Sequence, residues 1–189
     1  MNSRVVPVYL AGPDVFLPDA ADVLEAKRRI CALHGLGAVT PLEPPGEVPP
    51  RGLAEAQRIA WANEWHIRHC RAVLANLTPF RGPSADVGTV YEIGYARALG
   101  LPVFGYSMTG VPFAARTRAF LARAGEDGMA VEEFGLHDNL MIDAGIVASG
   151  GAVVVEDGAF EACVRLVARA LCGGSASIEP RRGSIPTRT

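Results

Sequence analysis

The chemistry available to this chain is concentrated in "PSADVGTVYEIGYARALG", residues 83–100. The stretch reads as a loop entering a helix. Asp86 stands where a helix N-cap belongs, and Gly88 and Thr89 follow in the first turn. Glu92 comes about a turn and a half further on. Gly88, Tyr95 and Ala96 lie four before, three after and four after it, so they share its side of the helix. Tyr91, Ile93, Gly94, Tyr95, Ala96, Ala98 and Leu99 leave almost no polar face, and Arg97 is the only other charge between 87 and 100. A helix this apolar is expected to be mostly buried. A carboxylate on it then needs a partner or a purpose. Two readings stand side by side: Asp86 as a plain cap and Glu92 as a solvated surface acid, or Glu92 as a functional carboxylate on a buried helix.

The surrounding elements must position that pair. "VVPVYLA", residues 5–11, is β-rich and runs into the turn "GPD". Residues 19–35 have apolar positions at helical spacing and close on Gly35. "GAVTPLEPP" predicts a short second strand, and 44–52, "PPGEVPPRG", a proline–glycine loop. A helix is expected over 53–70, a buried strand over 71–77, and a loop over 78–86 before the helix that carries Glu92. A strand at 101–107, helices near 112–124 and 137–150, strand character after 150 and an amphipathic helix at 158–172 complete the order. Strands alternating with helices predict a single α/β domain, a mostly parallel sheet with helices on both faces, Rossmann- or flavodoxin-like. Ligands of such sheets bind at the carboxyl ends of the strands. The glycine-, serine-, proline- and arginine-containing tail at 174–189 is expected to be disordered.

Composition narrows the function classes. With 189 residues, 49% hydrophobic and 20% charged, the chain fits one soluble domain with a real core. A net charge of −2 provides no field for nucleic acid. No apolar run approaches the ~20 residues needed to cross a bilayer, and "MNSRVVPVYLAGPD" lacks the longer apolar region of a secretory signal, so a cytoplasmic location is expected. Cys31, Cys70, Cys163 and Cys172 form no C-x-x-C pair and read as reduced, buried thiols. His66 and His69 can share a helix face, but no third ligand accompanies them, so no metal is expected. "AGPDVF" and "FRGPSADVG" each follow a strand, yet neither has the glycine spacing of a phosphate cradle, and their acids repel phosphate.

"VYLAGPDVF", "ANLTPFRGPSADVGTVYEIGYARALGLPVFGYS" and "DNLM", in that order over roughly residues 5–145, resemble the nucleoside 2-deoxyribosyltransferase family. The resemblance implies a catalytic domain over 1–173. It also implies exchange of the base of 2′-deoxyribonucleosides with a free nucleobase, with retention and without cofactor or metal. It makes Glu92 the nucleophile that forms a deoxyribosyl ester, Asp86 the acid/base for the departing base, and Tyr9 the group that holds the nucleophile. Asn63 matches a position near the sugar where some relatives carry Asp. Gly12, Asp14 and Phe16 would line the base pocket, with Gly88 beside Glu92. Asp138, Asn139 and Met141 would reach the 5′-hydroxyl end of the sugar, often in a neighbouring subunit's site, which implies a homo-oligomer with shared active sites. Plainer readings accompany each: Tyr9 a strand aromatic, Asn63 a helix-surface amide, Gly12-Pro13-Asp14 a turn, Asp138 or Asn139 a helix cap.

Two other functions fit the same residues. A deoxynucleoside 5′-monophosphate N-glycosidase would share the Glu nucleophile and pass the intermediate to water. It needs donors for a phosphate, and Arg81 is the one basic residue in the central loop. A non-catalytic nucleoside-binding sensor on the same fold would bind without turnover.

Overall fold

A computed structural model describes residues 5–125 and 127–172. Five strands form one parallel sheet in the order β2-β1-β3-β4-β5. They are β1 (Val6–Ala11), β2 (Leu36–Val39), β3 (Val73–Asn76), β4 (Val103–Ser107) and β5 (Val153–Val155). Six α-helices accompany them among the described residues: α1 (Ala20–Leu33), α2 (Glu55–His69), α3 (Val87–Ala98), α4 (Phe113–Ala124), α5 (Leu140–Ala148) and α6 (Ala159–Cys172). The α/β alternation read from the sequence is the observed one. The turn after β1 is a short 3-10 segment, Pro13–Phe16, rather than a simple reversal.

Side-chain alternation along the strands divides the core into two layers. Val8, Leu10, Leu74, Phe104 and Tyr106 pack with Cys31 of α1 and Phe160, Cys163, Val164 and Val167 of α6. Tyr9, Ala11, Val73, Ala75 and Val103 face the other way, toward Ile67 of α2, Ile93 and Ala96 of α3, and Ile142 and Ile146 of α5. Helices thus cover both faces, which is why β3 and β4 are buried along their whole length. The strand order reverses between β1 and β3, so the loops leaving those strands diverge and open a crevice at their carboxyl ends.

Helix α1 stops where Gly35 adopts φ 76, the left-handed conformation that ends a helix without a Cβ penalty. Cys31, Cys70 and Cys163 are buried free thiols, whereas Cys172, at the end of α6, is exposed, against the expectation of four buried thiols. No described helix is long and apolar enough to cross a membrane. The segment 174–189, expected to be disordered, lies outside the described residues.

Candidate active site

Glu92 lies on α3 and is 9% exposed. Its carboxylate borders a cavity of about 390 Å³ at the β1/β3 crevice, shared with Gly12, Phe16, Asn63, Asp86, Gly88 and Thr89. The Tyr9 hydroxyl, from the fully buried side chain on β1, donates to Glu92 Oε1 at 2.7 Å. The Asn63 side-chain amide, from α2, donates to the same oxygen at 3.2 Å. Glu92 Oε2 accepts no bond from a described residue, so one carboxylate oxygen is anchored and the other is free. The donation from Nδ2 also fixes the Asn63 amide, leaving its Oδ1 as a buried acceptor without a partner among the described residues.

Burial pushes the Glu92 carboxyl up to about 7. The Tyr9 and Asn63 hydrogen bonds oppose that rise by favouring the charged form, and the negative charge of Asp86 reinforces it. Burial, with the adjacent Glu92, raises the Tyr9 phenol far above its ordinary value, so Tyr9 remains a donor.

Asp86 caps α3: its Oδ2 accepts from the Thr89 backbone N–H at 3.0 Å and from the Thr89 hydroxyl at 3.1 Å. It also borders the Glu92 cavity, so the cap and the cavity position hold together. A Cβ on Gly88 would lie 3.0 Å from Asp86 Oδ2, so the glycine keeps that carboxylate uncrowded. At Gly12 a Cβ would meet the Asn76 Cβ at 2.8 Å, so only glycine lets the first loop run against the end of β3. Phe16 stacks on Phe80 at 5.4 Å, with the Arg81 guanidinium 4.6 Å from the Phe80 centroid and 5.3 Å from that of Phe16. Sequence reasoning missed Phe80 and the cavity residues Val15, Pro41, Leu42, Ile59 and Thr89. Leu42 and Ile59 are exposed apolar residues beside this cavity, an exposure that only the fold reveals.

Several expected positions differ. Asp14 is buried and does not border the cavity; Lys27 Nζ donates to its Oδ2 at 2.7 Å and Asn76 Nδ2 donates to its Oδ1 at 3.4 Å. A buried carboxylate takes the nearest cation, and α1 places Lys27 between Asp14 and the Tyr106 hydroxyl. Asp138 is also turned inward, bonded to Ser84 and Ala85. Asn139 caps α5, accepting from the Met141 N–H at 3.0 Å. Asn139 and Met141 border a different cavity of about 540 Å³, against another face of α3 formed by Val87, Val90 and Gly94. A single chain therefore does not bring them to Glu92. The expectation that α3 is mostly buried also fails: Val87 and Tyr91 are 84% and 59% exposed, and Leu99, its C-cap, 44%. Only Thr89, Glu92, Ile93 and Ala96 of that helix are buried. His66 and His69 are turned to the backbone carbonyls of Glu43 and Trp65.

Residues 8–141 match the family described as nucleoside 2-deoxyribosyltransferase. An uncharacterized protein of Schizosaccharomyces pombe is 30% identical over 175 residues, covering 81% of this chain and 82% of that protein. A solved 2-desoxiribosyltransferase from Leishmania mexicana superposes with TM-score 0.57 at 32% identity, over 72% of this chain and 85% of that one. A conserved protein from Enterococcus faecalis V583 shares the fold with TM-score 0.58 at 24% identity, over 88% and 99% of the two chains. The matched span runs from β1, which carries Tyr9, through α3 to the start of α5. This chain belongs to the nucleoside 2-deoxyribosyltransferase family.

Proposed function

We propose that this protein exchanges the nucleobase of 2′-deoxyribonucleosides through a covalent deoxyribosyl ester on Glu92. One observation carries the reading: Glu92 Oε1 is held by two donors while Oε2 is unpaired beside a cavity that also contains Asp86. That is how a carboxylate nucleophile is best oriented, with one oxygen fixed and the other free to bond.

Glu92 Oε2 attacks C1′, and the electron pair of the C1′–N bond leaves with the base. Asp86 donates the proton that the departing base nitrogen needs. The ring oxygen shares positive charge as the bond breaks, and the nearby carboxylate stabilises it. A nitrogen of the incoming base then attacks C1′ of the ester, the C1′–Oε2 electrons return to Glu92, and Asp86 recovers a proton. Two inversions give net retention. Tyr9 and Asn63 hold Oε1 through both steps, and Phe16, backed by Phe80 and Arg81, offers a face for the base. Asn139 and Met141 supply the 5′ end of a neighbouring subunit's site, so the working unit is a homo-oligomer.

No basic side chain borders the cavity among the described residues, and ionised Glu92 repels a phosphate, which favours a nucleoside over a 5′-monophosphate and a transferase over the nucleotide N-glycosidase. Mass spectrometry of the protein after exposure to a deoxynucleoside tests the reading. Native protein is expected to carry a deoxyribose adduct on the peptide containing Glu92, and Glu92→Ala protein none. A second base should convert the adduct to a new nucleoside. An adduct that persists in Glu92→Ala overturns the assignment, and binding without turnover favours the sensor.

A further inference from the structure

Asp138 is one of the most buried charged residues described, at 1% exposure, and it takes no part in the proposed bond changes. Its carboxylate is directed at the loop that precedes Asp86. Oδ1 accepts from the Ser84 hydroxyl and from the Asn139 N–H, and Oδ2 accepts from the Ala85 backbone N–H at 2.9 Å. Arg116 of α4 completes the arrangement. Its Nε donates to the Pro83 carbonyl at 2.8 Å and its Nη2 to the His137 carbonyl at 2.6 Å, and Nη2 lies 3.6 Å from Asp138 Oδ2. Residues 83, 84 and 85 are therefore each tied to the Arg116–Asp138 pair, and the next residue is Asp86.

We infer that Asp138, held by Arg116, is a positioning residue for Asp86 as the acid of base departure. The inference rests on the proposed role of Asp86. Thr89 holds the carboxylate of Asp86, and the Asp86 carbonyl accepts from the Val90 N–H at 3.0 Å, so the residue is tied to the first turn of α3. The chain enters that cap through 83–85, where the Ser84 carbonyl accepts from the Phe80 N–H at 3.0 Å and the described side-chain bonds to the backbone come from Asp138 and Arg116. Such a loop swings when its brace is removed, and a displacement of about 1 Å at a proton donor is enough to cost ~100-fold in rate. The acid is lost selectively, because Glu92 is held by Tyr9 and Asn63 from separate elements.

Two substrates separate the acid from the nucleophile. With 2′-deoxyadenosine the departing base must be protonated. With 7-methyl-2′-deoxyguanosine the base is already cationic and leaves neutral, with no proton required. Asp138→Ala is expected to lose ~100-fold or more in kcat on the first, within the range of general acid catalysis, and only about threefold on the second. Asp138→Asn, of the same shape and still able to accept one bond, should show the same selectivity with a smaller loss. It serves if the alanine variant does not fold. Equal losses on both substrates, or none on either, overturn the brace. A native protein inactive on both substrates overturns the enzyme reading, and the brace with it. Native turnover with no discrimination in Asp138→Asn overturns the brace alone.

Discussion

Tyr9 Oη stands 2.7 Å from Glu92 Oε1, joining the middle of the first strand to the third helix across 83 residues of sequence. Both partners are buried, so the bond is formed out of water and favours the ionised carboxylate. Tyr9→Phe removes that support. Glu92, already raised to about 7 by burial, then becomes harder to ionise. The limb of kcat/KM that requires ionised Glu92 should move to higher pH, with kcat at neutral pH down ~10-fold. A pH profile of base exchange for both proteins checks this, and an unmoved limb contradicts it.

Asn63 donates to the same oxygen. In Asn63→Asp the donor is lost and a like charge is added, and both changes disfavour ionised Glu92. The same limb is expected to rise above about 7, with exchange at neutral pH down by at least ~5-fold. Greater activity of the Asp variant at neutral pH would show that this position serves the sugar rather than the nucleophile.

The raised Glu92 carboxyl also carries a stability consequence. Between its ordinary value near 4.5 and its folded value of about 7, the folded protein keeps a proton that the unfolded chain releases. Stability therefore falls as pH rises through that window and levels off above it. Glu92→Gln lacks this loss. It should be more stable than native by on the order of 2 kcal/mol at pH ~8, with the difference vanishing toward pH ~4.5. Urea unfolding at both pH values measures it. Equal stability at the higher pH would mean that the site solvates the carboxylate.

Val87 and Met141 expose large apolar side chains around the cavity formed by α3 and the start of α5, and Tyr91 is exposed on the same helix. In the proposed shared-site assembly this face meets the neighbouring copy. Val87→Arg and Met141→Asp are expected to reduce an oligomer to monomers by light scattering and to lose at least ~10-fold of exchange activity, since Asn139 would no longer reach a neighbouring site. A fully active native monomer would defeat the shared-site proposal.

The sequence alone determined the order of strands and helices, the Asp86 cap and the place of Glu92 one and a half turns beyond it. These depend on neighbours within a helical turn or on strand alternation, and both are written in local spacing. Tertiary structure decided which acids face the cavity. Asp14 and Asp138 looked as available as Asp86 in the sequence, yet Lys27 captured one, and Ser84, Ala85 and Arg116 the other. It also left the apolar α3 half exposed, because a single sheet face can cover only one side of a helix. A buried carboxylate points to whichever donor packing brings nearest, and such donors lie dozens of residues away along the chain.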